Sequence, residues 1–265
     1  MRRFFLFALL SLVISAPLHA QDNWQTWPTG DRFTMGVEAF YINTDTDLAI
    51  KLVDIGEIGF DLEDALGLND SETIVTLAAS WRFAKRHSFA YRYFNLDRRS
   101  PTLFEGDDFL INPYVEIDFE NHDLTYNYSF LFDEKRDFFG GIGLSAMSFD
   151  FVVKDAGEVL PDFGLESSPP VPNFLLGYNW ALSPKWVWLN QVNFLAVDWA
   201  LDDEANIEGS IWQLNTRLEW RVMKHLSLTA SYEYADLEVE SGDGLVRLKF
   251  QDQFKGPRVG AVLRF

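Results

Sequence analysis

Hydrophobic and polar residues alternate with a period of two along many separate segments of this chain. Between residues 212 and 222, apolar side chains occupy the even positions, interrupted only by Thr216, while the odd positions carry amide or charged side chains. Because successive side chains of a β-strand point to opposite faces, this pattern predicts strands with one apolar and one polar face. The predicted strands cover residues 32–44, 72–83, 87–97, 116–132, 137–152, 172–182, 186–200, 207–222, 225–239 and 253–265.

The connections between these strands alternate in length and charge. The short ones, at 84–87, 133–136, 183–185 and 223–225, each carry Lys or Arg, whereas the long ones are rich in Asp and Glu. Short turns on one side and long loops on the other are typical of outer-membrane barrels. The sequence therefore predicts an all-β fold, a closed antiparallel transmembrane β-barrel of about ten strands. Twelve strands, with an extra hairpin inside 45–70, and eight strands are the alternatives.

Composition narrows the class of protein further. The chain has 265 residues, a formal net charge of −18, 16% aromatic residues and no cysteine. Without cysteine there are no disulfides, no thiolate metal sites and no lipid-modified cysteine. The acidic balance disfavours nucleic acid as a partner, since nucleic-acid binding needs basic patches. A periplasmic β-sandwich would show the same alternation, but Tyr and Trp near the predicted strand ends favour the barrel.

The first 20 residues have the features of a secretory signal. Arg2 and Arg3 precede an apolar stretch at residues 4–14, and Ala20 offers a small residue for cleavage. This order of charge, apolar run and small residue is that of a signal peptide. We therefore expect a signal peptide at 1–20, a barrel at 21–265, and export through the periplasm to the outer membrane.

Two resemblances agree with this location. The alternating segment 259–265 ends in Phe265 and resembles the C-terminal signature that the barrel assembly machinery reads. Segments 60–68, 81–87 and 91–98 resemble uncharacterised proteobacterial outer-membrane β-barrel proteins of the broad OmpA- or OmpW-like class of small barrels. The resemblance implies a barrel fold, an outer-membrane location, and outer-membrane lipid, LPS and the assembly machinery as partners. It implies no substrate.

Charged residues on the polar faces are the candidate functional residues, since a membrane barrel turns this face toward its lumen. Arg outnumbers carboxylates among them by seven to four. Two interpretations follow: the charges pair and plug a narrow lumen, or the excess Arg lines a weakly anion-favouring path with Arg217 and Arg221 at a constriction. The small bore of about ten strands favours the plug. The candidate lumen charges are Arg32, Glu38, Arg82, Arg92, Asp123, Arg217, Glu219, Arg221, Glu233, Arg258 and Arg264.

Few residues suggest catalysis, and we expect a non-enzymatic protein with no cofactor and no metal. Its expected role is envelope structure or a narrow passive pore for small solutes. One alternative is a lipid- or peptide-modifying enzyme that uses His122, although the neighbouring Asp123 would point to the opposite face of an extended strand. Another is an adhesin-like or cation-binding surface, since the acidic run 61–64 with Asp70 carries the oxygen ligands that divalent cations prefer.

Overall fold

The computed structural model describes residues 28–52, 56–61, 63, 68–99, 114–154, 163–165, 170–202, 205–242 and 246–265, most of them in β-strands. The predicted signal peptide, 1–20, lies outside the described residues. No helix in these ranges is long and apolar enough to cross a bilayer. The strands are β1 (Phe33–Leu52), β2 (Gly56–Asp61), β3 (Ser71–Ala84), β4 (His87–Arg99), β5 (Tyr114–Phe132), β6 (Arg136–Lys154), β7 (Phe163–Leu165), β8 (Val171–Ser183), β9 (Trp186–Asp202), β10 (Ala205–Met223), β11 (Leu226–Gly242) and β12 (Val246–Arg264).

Ten of these twelve strands form a closed, all-antiparallel barrel wall, which confirms the predicted fold class. Strand β12 pairs with β1 and closes the circle, with Thr34 opposite Arg264 and Leu52 opposite Val246. The two short strands add no position to the wall, because within the described residues β2 pairs with the far end of β1 alone and β7 with β6 alone. The extra hairpin considered for 45–70 therefore lengthens β1 instead of making a twelve-stranded barrel.

The four short turns lie where the sequence predicts them, and we call this side of the barrel the turn end. The other side, the loop end, extends further than expected. Strand β1 continues to Leu52 and β12 begins at Val246, whereas the alternation predicted limits at 44 and 253. Part of the region expected to be an acidic loop is therefore barrel wall.

The outer surface of the wall is apolar and the lumen is charged over the half nearer the turn end. Val259 is 61% exposed on the outside, while its neighbour Arg258 is 3% exposed inside. Soluble proteins bury apolar side chains and expose charge, so this arrangement is inverted. We call the outer surface here the apolar band. Exposed residues of this band, one from each wall strand, are Val37, Leu77, Phe89, Leu124, Ile142, Leu176, Val192, Leu214, Leu228 and Val259.

Toward the loop end the pattern reverses, and apolar side chains fill the lumen. The rings of Phe119 on β5 and Phe254 on β12 stack with centroids 6.1 Å apart, although their strands are four positions apart around the wall. Aromatic contact over this span means that the side chains bridge the bore. We call this cluster the apolar layer. Its buried members are Phe40, Ile42, Ile74, Leu96, Phe119, Ala235, Leu237 and Phe254.

Candidate functional site

The part of the lumen between the apolar layer and the turn end is the candidate functional site. Ten of the eleven predicted charges form ion pairs there among the described residues. They fall into a central group, a group at the turn end, and the separate pair Arg82–Asp137. We call the central group the ion-pair layer. Its members are Glu38, Arg92, Asp123, Arg217, Glu233 and Arg258.

Glu233 is the centre of the ion-pair layer. It is 3% exposed and accepts hydrogen bonds from the Arg258 guanidinium and the Gln213 amide. Asn215 Nδ2 adds a third bond of 2.9 Å, and Arg92 Nη1 lies 3.7 Å from Glu233 Oε2. Multiple donors on one carboxylate compensate for its loss of water, which is the condition for burying a charge without a large penalty.

Arg92 spans the lumen. Its Nη2 atom donates to Asp123 Oδ2 at 2.8 Å and to Gln213 Oε1 at 2.6 Å. Asp123 lies on the neighbouring strand β5, whereas Gln213 lies on β10, diametrically opposite β4 in the ten-stranded circle. Arg92 and Gln213 thus connect opposite walls of the barrel at this level.

Glu38 connects the remaining Arg residues to the layer. Its Oε2 atom lies 3.1 Å from Arg217 Nη2 and 4.0 Å from Arg258 Nη1, and its Oε1 atom accepts from the Thr229 hydroxyl at 2.8 Å. Arg217, expected at a constriction, is therefore bound to a carboxylate. The Arg258 guanidinium also lies 4.1 Å above the Phe40 ring, where it joins the ion-pair layer to the apolar layer.

The segment before β1 folds into the turn end of the lumen. Asp31 forms ion pairs with Arg221, at 2.9 Å, and with Arg264. Arg264 also binds Glu219, and Arg221 donates to the carbonyl oxygen of Pro28. These contacts make residues 28–31 part of the lumen filling.

Two carboxylates that the sequence analysis missed balance the excess of Arg. Arg82 Nη2 lies 2.5 Å from Asp137, which is fully buried. At the turn end, Asp31 forms ion pairs with Arg221 and Arg264. With these two added and Arg32 removed, the described part of the lumen between the apolar layer and the turn end holds six Arg and six carboxylates. Arg32 forms no ion pair with the described residues, and its backbone N–H donates to the Phe265 carbonyl at 3.0 Å. The balance removes the charge excess on which the anion-favouring path depended.

A cavity of about 250 Å³ remains between the turn-end group and the ion-pair layer. It is bounded by charged residues of both groups and by an amide-bearing wall from β8, β9 and β10. Four amide residues on the inward faces of these strands line it, namely Asn179, Gln191, Asn193 and Asn215. The space has the size of several solvent molecules or one small polar solute, and the apolar layer lies between it and the loop end.

The histidine considered for catalysis faces outward. His122 Nδ1 lies 2.8 Å from the Tyr91 hydroxyl, and its Nε2 lies 3.1 Å from Glu120 Oε1. Asp123 points into the lumen, so the Asp123–His122 pair does not form and a Glu120–His122–Tyr91 chain forms instead. The other two histidines of the barrel have local roles, with His87 bound to the Tyr126 hydroxyl at 2.6 Å and His225 to the Arg264 carbonyl at 2.8 Å.

Carboxylates gather at the loop end, where Asp45, Asp61 and Glu63 bring oxygen atoms within 4.8 Å of one another. Glu63 is already bound by Arg98 and by the backbone N–H of Thr46 at 2.9 Å, so an internal cation neutralises part of this cluster. We therefore assign the cluster no metal.

Buried Asp252 lies close to these residues. It accepts from the Thr46 hydroxyl at 3.2 Å. Its outward neighbours are Gln251 and Gln253, so this section of β12 stands clear of the apolar band. Burial raises the pKa of Asp252 to about 7, although Arg98 and the Thr46 hydroxyl act in the opposite direction.

Phe265 lies at the junction of the first and last wall strands. Its N–H donates to the Phe33 carbonyl at 2.9 Å, and its ring stacks on His225 with centroids 5.6 Å apart. The ring is 62% exposed on the outer surface. Recognition of this residue by the assembly machinery stays a prediction.

Comparisons with known proteins agree on the fold. No family model and no curated protein matches the chain, so the OmpA- or OmpW-like resemblance also stays a prediction. Among solved structures, the outer membrane protease OmpT from Escherichia coli superposes with a TM-score of 0.57 at 8% identity, over 89% of this chain and 98% of that one.

Two further solved structures match over most of their length at lower similarity. The Pseudomonas putida toluene transporter TodX has a TM-score of 0.38 at 9% identity, over 94% of this chain and 95% of that one. Neisserial surface protein A has a TM-score of 0.36 at 11% identity, over 88% and 97%. At 8% identity the OmpT match shows a barrel fold alone, and the two matches of lower TM-score add nothing to that.

Proposed function

We propose that the chain is an integral outer-membrane barrel, non-enzymatic, whose filled lumen makes it a structural component of the envelope and not an open pore. The observation that carries this proposal is the contact of opposite walls at two levels. Arg92 reaches Gln213 across the bore at 2.6 Å, and above it Phe119 stacks on Phe254. A barrel of about ten strands is narrow enough for its own side chains to fill it.

The apolar band supports the membrane location. Residues such as Val75, Ile142 and Val259 are about 60% exposed on the outside, and such residues recur around the whole wall. Monomeric soluble proteins rarely expose contiguous apolar patches larger than a few hundred Å². We place the turn end in the periplasm and the loop end outside the cell, as in other barrels with short turns and long loops. A mature chain that stayed monomeric in water without detergent would exclude this placement.

Conductance in planar bilayers tests the filled lumen. We expect no single-channel steps from the wild-type protein, because charge and apolar packing each block the path. Arg217→Ala removes one ion pair at Glu38 and leaves the apolar layer intact, so it is also expected to be silent. Steady wild-type steps whose ion selectivity changes in Arg217→Ala would instead support the narrow passive pore.

A second candidate is an enzyme acting on outer-leaflet lipid, and one observation favours it. The Glu120–His122–Tyr91 chain has the order of a carboxylate, an imidazole and a hydroxyl that supports proton transfer. Its outward position at the upper edge of the apolar band would present it to lipid headgroups. Lipid profiles of cells expressing His122→Ala and wild type, compared with empty cells, test this. Identical lipid profiles in all three would exclude the hypothesis of a lipid-modifying enzyme.

The cation-binding and adhesin-like alternatives depend on the acidic loop end. Intrinsic fluorescence of the folded protein during a calcium titration tests the first, with Asp45→Asn as the matched variant. We expect a flat response, because Arg98 already neutralises Glu63. A saturable change that disappears in Asp45→Asn would restore the cation site.

A further inference from the structure

Three polar residues lie next to one another in the middle of the apolar band. Asn190 on β9 is directly opposite Thr216 on β10, and Thr216 is directly opposite Tyr232 on β11. We call these three residues the polar row. Along β9 the outward neighbours of Asn190 are Trp188 and Val192, which are 40% and 42% exposed. Along β10 those of Thr216 are the exposed Leu214 and Leu218, so the row sits within the hydrocarbon-facing surface.

Hydrogen bonds satisfy only part of the polar row. Trp188 Nε1 donates to Thr216 Oγ1 at 2.9 Å, and Thr216 Oγ1 donates to Asn190 Oδ1 at 2.9 Å. These bonds use the Thr216 hydroxyl and the Asn190 carbonyl oxygen. The Asn190 amide N–H groups and the Tyr232 hydroxyl have no partner among the described residues.

Two tyrosines in the opposite wall, at a similar depth, have hydrogen-bond partners. Outward Tyr91 and Tyr126 have hydroxyls that are bonded to His122 and His87, at 2.8 and 2.6 Å. An amide transferred to hydrocarbon without a partner loses several kcal/mol in model systems, and no water is available in the bilayer core to replace that partner. The unpartnered donors on β9 and β11 therefore point to a protein surface and not to lipid.

We propose that the polar row is the centre of an interface between two copies of this chain in the membrane. Both copies are inserted in the same direction, so a two-fold axis along the membrane normal places each residue opposite its own equivalent at the same depth. A side-chain amide carries both donors and an acceptor, so Asn190 is complementary to itself. A residue with only donors or only acceptors would repel its equivalent in this arrangement.

The surroundings of the polar row fit a packed contact. Trp188 and Trp212 flank it with broad apolar surfaces that are 40% and 43% exposed. Polar residues at the centre of an apolar membrane interface stabilise association because the separated state leaves them in lipid. The interface thus has apolar flanks and a hydrogen-bonding centre.

Cysteine crosslinking in native membranes tests the proposal, and the chain has no cysteine of its own. Asn190→Cys treated with a short thiol-to-thiol reagent is expected to give a product of twice the monomer mass. Leu77→Cys is the matched control, since Leu77 lies in the apolar band on β3, diametrically opposite β9. Equal yields at the two positions, or products of other masses only, would overturn the pairing of two copies. Val192→Cys replaces Asn190→Cys if that variant does not insert.

Energy transfer between labelled copies in lipid vesicles provides an independent measure. Asn190→Leu keeps the size of the side chain but removes the amide, and we expect it to weaken association about threefold to tenfold. Val192→Leu alters the same wall without touching a polar group and is expected to leave association unchanged. Equal association in wild type and Asn190→Leu would show that the amide does not hold copies together. Heat-modifiable gel mobility confirms that each variant is folded.

Discussion

The ion-pair layer fills the lumen with fully charged groups, and the apolar layer just above it fills the same lumen with groups that carry no charge. A single strand can take part in both, since β1 contributes Glu38 to the first and Phe40 and Ile42 to the second. The difference lies outside the barrel. Where the outer surface meets hydrocarbon, the inward positions hold the polar residues; where it meets water, the inward positions form an ordinary core. The environment of the outer face therefore decides which face of a strand is apolar.

The two layers also differ in what stabilises them. The apolar layer gains free energy from removing side chains from water, in proportion to the area buried. The ion-pair layer gains little net energy from its charges, but the loss of one partner leaves an uncompensated charge in a buried site. Substitutions in the two layers should therefore lower the free energy of unfolding for different physical reasons.

The largest effect is expected from removing the carboxylate at the centre of the ion-pair layer. Glu233→Ala leaves Arg258 and Arg92 without their shared partner, and we expect a loss of about 3–5 kcal/mol in the free energy of unfolding. Urea unfolding from lipid vesicles, followed by tryptophan fluorescence, measures it. The control is Asp97→Ala, which removes an exposed ion pair with Arg99 and should cost less than about 1 kcal/mol. Equal losses would mean that the central charges are hydrated and the lumen is open.

A smaller loss, without a charge defect, is expected in the apolar layer. Phe119→Ala removes a ring that stacks on Phe254 and makes a tilted contact with Phe94. We expect about 3 kcal/mol of destabilisation from lost transfer energy and the cavity left behind. The same unfolding assay measures it. Phe119→Leu, which retains most of the volume, should lose clearly less. A loss below about 1 kcal/mol for Phe119→Ala would show that this level is not packed.

The pH dependence of stability should depend on Asp252, which lies on the loop-end side of the apolar layer. The folded carboxyl keeps its proton up to about pH 7, whereas in the unfolded chain it ionises near its ordinary pKa of 3.8. The folded state thus binds more protons between these values. The free energy of unfolding should therefore fall as pH rises from about 4 to about 7, by up to about 1.4 kcal/mol per pH unit. Asp252→Asn should lack most of this slope, and an unchanged slope would contradict the assignment.

The smallest effect is expected for an exposed ion pair at the loop end. Lys249 Nζ lies 2.5 Å from Glu238 Oε1, but both side chains are about 40% exposed. Lys249→Ala should change the free energy of unfolding by about 0.5 kcal/mol or less, and added salt should remove even that difference. A loss comparable to that of Glu233→Ala would erase the distinction between buried and exposed charges.

The alternation was sufficient to predict the barrel because each wall strand within the apolar band has one face in lipid. In β10, Leu214 and Leu218 lie outward and Gln213 and Arg217 inward, as period two requires. The short turns were equally visible, since a hairpin is a local feature of the chain. The loop end was harder because the alternation changes sense there. Phe40 and Ile42 point inward on either side of outward Tyr41. A prediction that turns every apolar residue toward lipid therefore assigns them to the wrong face.

The partners of the lumen charges could not be predicted from neighbouring positions in the sequence. Asp31 binds Arg264, which is 233 positions away, and the register of ten strands is needed to bring them together. Asp137 was missed because it stands at the start of β6 beside a charged turn, where an exposed acid is the ordinary expectation. The excess of seven Arg over four carboxylates on the predicted inward faces was itself the sign that partners such as Asp31 and Asp137 were missing from the set.

Several contacts at the junction of β1 and β12 depend on the register in which these two strands pair. Gly256 has no side chain at the point where the Tyr41 carbonyl comes closest, so the two strands meet there without obstruction. A slip of one residue along this seam would turn every side chain of one strand to the other face and carry Glu38 or Arg258 into hydrocarbon. The bonds from Asp31 to Arg264 and from Phe265 to Phe33 form only in the correct pairing. The native register of this junction is therefore favoured over its neighbours by contacts that no shifted pairing can form.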